Sequence, residues 1–158
     1  MGYTNGMFHV VDDTDFICEV VTAMLKHLGH DTMSFSCPKD YISLVNSPDF
    51  ITPVAVFTDV EMPEMNGYEM MNAVSKLKPD LKFVVMTGEP KIRSEHVNMA
   101  CMYLSKPFKS KDFIRVVDNL LRCDIHAPSD EYGCAGIDNR EIFPITNWSC
   151  PHKCSDCS

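Results

Sequence analysis

The sequence of 158 residues predicts an α/β fold: a doubly wound, five-stranded parallel sheet with helices on both faces, and a short cysteine-rich C-terminal extension. Three observations predict it. Short apolar runs of strand length alternate with segments whose apolar residues recur at helical spacing. The connections between them are a few residues long. The alternation stops at Arg122, beyond which Pro, Gly and Cys interrupt the chain.

The first strand is "MFHVV" (7–11), which runs into Asp12 and Asp13. A helix follows, with Phe16, Val20, Ala23, Met24 and Leu28 at helical spacing, Thr14 as N-cap and Gly29 as stop. "DTMSFS" (31–36) is the second strand, and a helix spans about 38–46. "VAVFT" (54–58) is nearly continuous in apolar residues, as expected of a parallel strand covered on both faces. After Gly67 comes a helix to Pro79, then a strand at 81–87 and a weaker helix at 91–99. A fifth strand (101–105) and an amphipathic helix (110–122), with Phe113, Val116, Val117, Leu120 and Leu121 inward, complete the series. The expected division is 1–122 as one domain and 123–158 as a tail.

The net charge is -8, and neither part of the chain carries a basic tract. A nucleic-acid backbone or an anionic membrane is therefore not the expected partner. The N-terminus lacks a charged segment followed by a long apolar one, no window reaches the length of a membrane span, and Gly6 stands where a myristoylation motif wants Ser or Thr. A cytoplasmic location is expected. Of the eight cysteines, Cys18, Cys37 and Cys101 sit in ordinary segments and read as small buried hydrophobes.

The predicted strands end in chemistry-bearing residues: Asp12 and Asp13 after the first, Asp59 after the third, Thr87 at the fourth and Lys106 after the fifth. Reactive groups of such sheets lie at the carboxyl ends of the strands. Three carboxylates together repel one another unless a hard divalent cation sits among them, and magnesium takes oxygen ligands and couples to phosphate. Lys106 is suited to pair with Asp59 or with a phosphoryl oxygen, and Thr87 to donate a hydroxyl. The expected chemistry is attack of an Asp59 oxygen on phosphorus to give an acyl phosphate. Singly, each residue has a blander reading: an Asp after a strand is usually a turn or cap residue, Thr87 beside Gly88 is ordinary turn chemistry, and Lys106 is a solvated loop lysine. Their joint placement at several strand ends favours the site.

The motifs "VVDD" (10–13), "DVEMPEMNG" (59–67), "MTG" (86–88) and "YLSKPF" (103–108) resemble those of the receiver domain of two-component response regulators, over residues 7 to about 122. The resemblance implies a CheY-like, flavodoxin-like fold in which Asp59 is the phosphoacceptor. It implies that Asp13 and Asp59 ligate magnesium directly, that Asp12 acts largely through water, and that the backbone carbonyl of Glu61 adds an oxygen. Thr87 would be the switch hydroxyl, Lys106 the salt-bridge lysine and Tyr103 the switch aromatic, with the Lys106–Pro107 bond cis. Gly67 would permit the turn into the third helix, Pro63 would stiffen the loop before it, and Glu61 and Glu89 would tune the lifetime of the phosphoryl group.

The implied partners are a sensor histidine kinase or phosphotransfer protein, and a downstream protein or second copy at the face formed by the fourth helix, fifth strand and fifth helix. Self-phosphorylation and self-dephosphorylation on Asp59 are the only turnover expected.

In the tail, Cys150, Cys154 and Cys157 are spaced Cys-x3-Cys-x2-Cys, and Cys134 lies upstream. Four thiolates suit a tetrahedral zinc site, with His126 and His152 as substitute ligands; an iron–sulfur cluster is a lesser alternative, and unliganded or redox-labile thiols are the remaining reading. A rival function follows, in which the tail senses metal or redox state and the body only docks. A third, a phosphatase or phosphotransferase acting on other substrates, is disfavoured by short loops that leave no cap over the site.

Overall fold

A computed structural model describes residues 6–123 and 151–152. It divides into two compact units, one ending at Val85 and the other beginning at Met86.

The first unit contains β1 (Met7–Val11), α1 (Asp15–His27), β2 (Asp31–Phe35), α2 (Pro38–Val45), β3 (Ala55–Asp59), α3 (Gly67–Leu77) and the start of β4 (Phe83–Thr87). The second contains the end of β4, β5 (Met102–Ser105) and α4 (Ser110–Arg122). The sheet runs β2-β1-β3-β4-β5. β1 is parallel to both neighbours, with Phe8 opposite Thr32 on β2 and Ala55 on β3. Strand order therefore reverses direction between β1 and β3. Right-handed crossovers then carry α1 to one face and α2 and α3, which touch each other, to the opposite face.

β3 and β4 are buried at every position, whereas β2, at the sheet edge, has only exposed and half-buried residues. Phe8, Val10, Phe57, Val84 and Val85 are at the centre of the core. α3 opens on a capping box: Asn66 Oδ1 accepts from the Glu69 N–H at 2.9 Å, and Glu69 Oε1 accepts from the Asn66 N–H at 3.2 Å.

Two expectations need correction. α1 buries Cys18, Val21 and Leu25, while Phe16 is 68% exposed and Ala23 is also exposed. Counting the cysteine as apolar shifts the inward stripe by about one position, since Cys18, Val21 and Leu25 share a helical face. Cys18 and Cys101 are buried as expected, and Cys37 is half-buried.

The helix expected at 91–99 does not form. The segment is a run of turns, with the His96 N–H on the Arg93 carbonyl at 2.9 Å and the Met99 N–H on the His96 carbonyl at 3.1 Å. Its buried anchors, Ile92 and Val97, stand five apart and point to different sides of any helix, and Ser94, His96 and Asn98 are weak helix formers. The fifth helix expected from the sequence is accordingly α4 here. It buries Phe113, Val116, Val117 and Leu120 as predicted, with Leu121 half-buried.

Candidate phosphoacceptor site

β1 delivers Asp12 and Asp13, and β3 delivers Asp59, to the point where strand order reverses, which is where ligands bind in open parallel sheets. One carboxylate oxygen from each of the three lies within 4.8 Å of the others. Asp12 is fully buried and Asp59 is 8% exposed, while Asp13 faces solvent. An open cluster with two buried acids and one exposed acid can be reached from water and still hold charge in a protected setting.

The backbone beneath the cluster is fixed from several sides. Asp12 Oδ1 accepts from the Thr14 N–H at 2.9 Å, satisfying a donor at the start of α1. The thiol of Cys18 reaches back to the Asp12 carbonyl at 3.2 Å. The buried Thr58 hydroxyl donates to the Asp59 carbonyl at 2.9 Å, and the Gly67 N–H donates to the Val60 carbonyl at 2.9 Å. A Cβ on Gly67 would lie 2.1 Å from the Asp59 carbonyl oxygen, so only glycine allows α3 to start this close to the end of β3. Between them, Glu61 is exposed, and Glu64 adopts a left-handed φ of 68° and pairs with Lys39 at 3.0 Å on the surface.

The donor set fits magnesium. Three carboxylates are hard oxygen ligands, and octahedral bonds of about 2.1 Å place ligand oxygens roughly 3–4 Å apart, a spacing that oxygens gathered within 4.8 Å of one another can reach with small side-chain adjustments. A divalent cation would also offset the repulsion of acids held together with little solvent around two of them.

In the second unit, Thr87 is 2% exposed and its hydroxyl oxygen accepts from the Glu89 N–H at 3.0 Å. The Lys106 N–H donates to the Thr87 carbonyl at 2.7 Å, which ties the start of the lysine loop to the end of β4. The Lys106–Pro107 peptide is cis, as expected. Tyr103 is fully buried; its hydroxyl donates to the His96 carbonyl and accepts from the Ala100 N–H at 3.3 Å.

A family model described as the response regulator receiver domain matches residues 8–118. The chain belongs to that family. Among curated relatives, "Response regulator SaeR" of Staphylococcus aureus (strain USA300) is 25% identical over 118 residues, which are 71% of this chain and 49% of SaeR. This chain thus spans about half the length of the curated relatives it matches. Among solved receiver folds, the chemotaxis response regulator CheY4 of Vibrio cholerae superposes with a TM-score of 0.63 at 20% identity, over 74% of this chain and 99% of that one. The receiver domain of sensor histidine kinase PA1611 from Pseudomonas aeruginosa, with a magnesium ion coordinated in its active-site cleft, does so with 0.63 at 18% identity, over 75% and 98%. Both structures speak for the receiver fold.

Other features of the molecule escaped the sequence reading. The N-x-x-E spacing of Asn66 and Glu69 is a capping signal legible in the sequence. The contact between His9 Nδ1 and the Tyr41 hydroxyl, at 2.8 Å and fully buried, joins two elements and leaves no local trace. Cys134, Cys150, Cys154, Cys157 and His126 lie outside the described residues. His152 is described, and its Nδ1 is 3.6 Å from Cys101 Sγ. Among the described residues no helix is long and apolar enough to cross a membrane.

Proposed function

We propose that this receiver domain takes a phosphoryl group onto Asp59 from a sensor histidine kinase or a phosphotransfer protein and thereby changes a protein-binding surface. The observation that carries the reading is the convergence of Asp12, Asp13 and Asp59 in a chain of this family. Asp12, Asp13 and Asp59, with the Glu61 carbonyl, are the residues that would hold magnesium. When bound, the ion supplies positive charge that offsets the acids and the equatorial oxygens of the transferring group.

An Asp59 carboxylate oxygen forms the new bond to phosphorus as the bond from phosphorus to the donor breaks, and the donor leaves with that electron pair. The product is an acyl phosphate. The buried end of β3, fixed by the Thr58 hydroxyl and by the close approach of Gly67, presents the nucleophile without needing to reorganise. Family membership supports Lys106 as the cation that pairs with the phosphoryl group, Thr87 as the hydroxyl that responds to it and Tyr103 as the residue that relays the change.

The responding surface is assigned to the 91–99 turns, β5 and α4, and a downstream protein or a second copy of the chain would bind there. Incubation with magnesium and acetyl phosphate tests the reading. A base-labile mass increase located on Asp59, absent from Asp59→Ala, is expected; unmodified Asp59 after prolonged incubation would overturn it.

A further inference from the structure

In an α-helix the N–H of each residue donates to the carbonyl four positions back, so the Ala100 N–H and the His96 carbonyl would be direct partners. Here the Tyr103 hydroxyl stands between them: it donates to the His96 carbonyl and accepts from the Ala100 N–H at 3.3 Å. A side chain inserted in this way holds a helical turn open. The turn is otherwise ready to close. The Met99 N–H already reaches the His96 carbonyl at 3.1 Å, the bond of a tightened turn. Val97 and Ala100, both buried, stand three positions apart and share a helical face, so a turn confined to 96–100 keeps both inward. At the other end of the segment, the Thr87 hydroxyl oxygen accepts from the Glu89 N–H at 3.0 Å. The two side chains that answer the phosphoryl group in the function proposed above thus hold the backbone at both ends of the 91–99 turns.

We infer that the Tyr103 hydroxyl is a wedge in an unfinished helical turn, and that its withdrawal lets the Ala100 N–H close directly on the His96 carbonyl. The inference rests on phosphorylation of Asp59 and adds what the responding surface then does: it completes a turn instead of shifting a preformed helix. Movement of the Tyr103 ring carries the hydroxyl out of the gap. The carbonyl and the N–H exchange the hydroxyl for each other, so neither of these backbone groups loses its hydrogen bond in the closed form. A Thr87 hydroxyl that turns away from Glu89 releases the other end of the segment, which leaves the chain between free to follow the tightening. Residues that stand exposed on these turns, Arg93, Ser94, Glu95 and Asn98, are carried into new relative positions, and a partner reads that arrangement.

The full chain is incubated with magnesium and acetyl phosphate in deuterated buffer, the mass of the Asp59 peptide is read in the same sample, and exchange at the Ala100 amide is resolved by fragmentation. Labelling of Asp59 should slow exchange at Ala100 roughly threefold or more, because a direct bond within a closed turn opens less often than one bridged by a mobile side chain. In Tyr103→Phe, compared at equal Asp59 occupancy, the same amide should exchange faster than in the parent chain before labelling and at the parent's rate after it, since the hydroxyl has no part in the closed turn. Unchanged protection of the Val56 and Phe57 amides of β3 checks that the variant is folded. Labelled Asp59 with unaltered exchange at Ala100 would overturn the inference and leave the phosphoacceptor reading standing. So would a Tyr103→Phe amide that still exchanges faster after labelling, because the hydroxyl would then bridge the turn in both states. Unlabelled Asp59 would remove the reading and this inference together.

Discussion

The carbonyl oxygen of Asp59 occupies the space that a side chain on Gly67 would need, with 2.1 Å between it and the position of a Cβ. Both partners in that contact are backbone, so neither can swing aside. Gly67→Ala should therefore lower stability by about 1–3 kcal/mol, the usual effect of overpacking, and slow labelling of Asp59 by displacing the end of β3. Urea unfolding checks the first effect, and an unchanged midpoint would show that α3 can retreat freely.

Asp12→Asn keeps an oxygen for the Thr14 N–H but removes a charge from the acidic cluster. Magnesium affinity should fall tenfold or more while the unfolding midpoint moves little. Calorimetric titration with magnesium measures the change. Chelating the metal from the unaltered protein should likewise stop labelling by acetyl phosphate.

Asn66→Ala removes the arm of the capping box in which the Asn66 side chain accepts from the Glu69 N–H, and keeps the arm donated by its own backbone N–H. A loss of about 1 kcal/mol is expected, in line with other N-caps. Glu69→Gln, which keeps an oxygen acceptor, should cost less, and equal losses in the two variants would argue against the box.

His9 is fully buried amid Phe35, Tyr41 and Phe50, and its Nε2 has no hydrogen-bond partner among the described residues. Burial lowers its pKa from 6.5 to about 4, and pushes the Tyr41 phenol up so that it stays neutral. The unfolded chain then binds the proton more readily than the folded one. Stability should be at its full value above pH 6.5 and fall by roughly 3 kcal/mol as pH drops from 6.5 to 4. In the double variant His9→Leu, Tyr41→Phe, which removes both partners of the hydrogen bond, denaturant midpoints measured across this range should lose that component of the slope.

Tyr103→Phe removes a hydroxyl that serves the His96 carbonyl and the Ala100 N–H. Leaving these groups without it should cost about 1–3 kcal/mol. Limited proteolysis should show earlier cleavage in the 91–99 turns, and an unaltered cleavage pattern would mean that water replaces the hydroxyl at no cost.

The sheet was legible because buried parallel strands are short, apolar and separated by amphipathic helices, and β3 and β4 have just that composition. The acidic cluster was legible for a related reason: strand ends place their next residues on a shared rim, so the order of strands in the sequence already groups Asp12, Asp13 and Asp59. The segment 91–99 misled because Ile92 and Val97 report burial without reporting period, and the tyrosine that holds the turns comes later in the chain. Phe16 misled because apolarity alone does not distinguish the inward side of α1. The His9–Tyr41 and Cys101–His152 contacts were invisible because they are made by tertiary proximity across 32 and 51 positions.

The contrast between an exposed β2 and a wholly buried β3 implies an ordered response to thermal fluctuation. Amides of β2, such as those of Met33 and Phe35, should trade hydrogen for deuterium through partial openings of the sheet margin. Those of Val56 and Phe57 should wait for the whole domain to come apart, leaving the strand that carries Asp59 among the last to open.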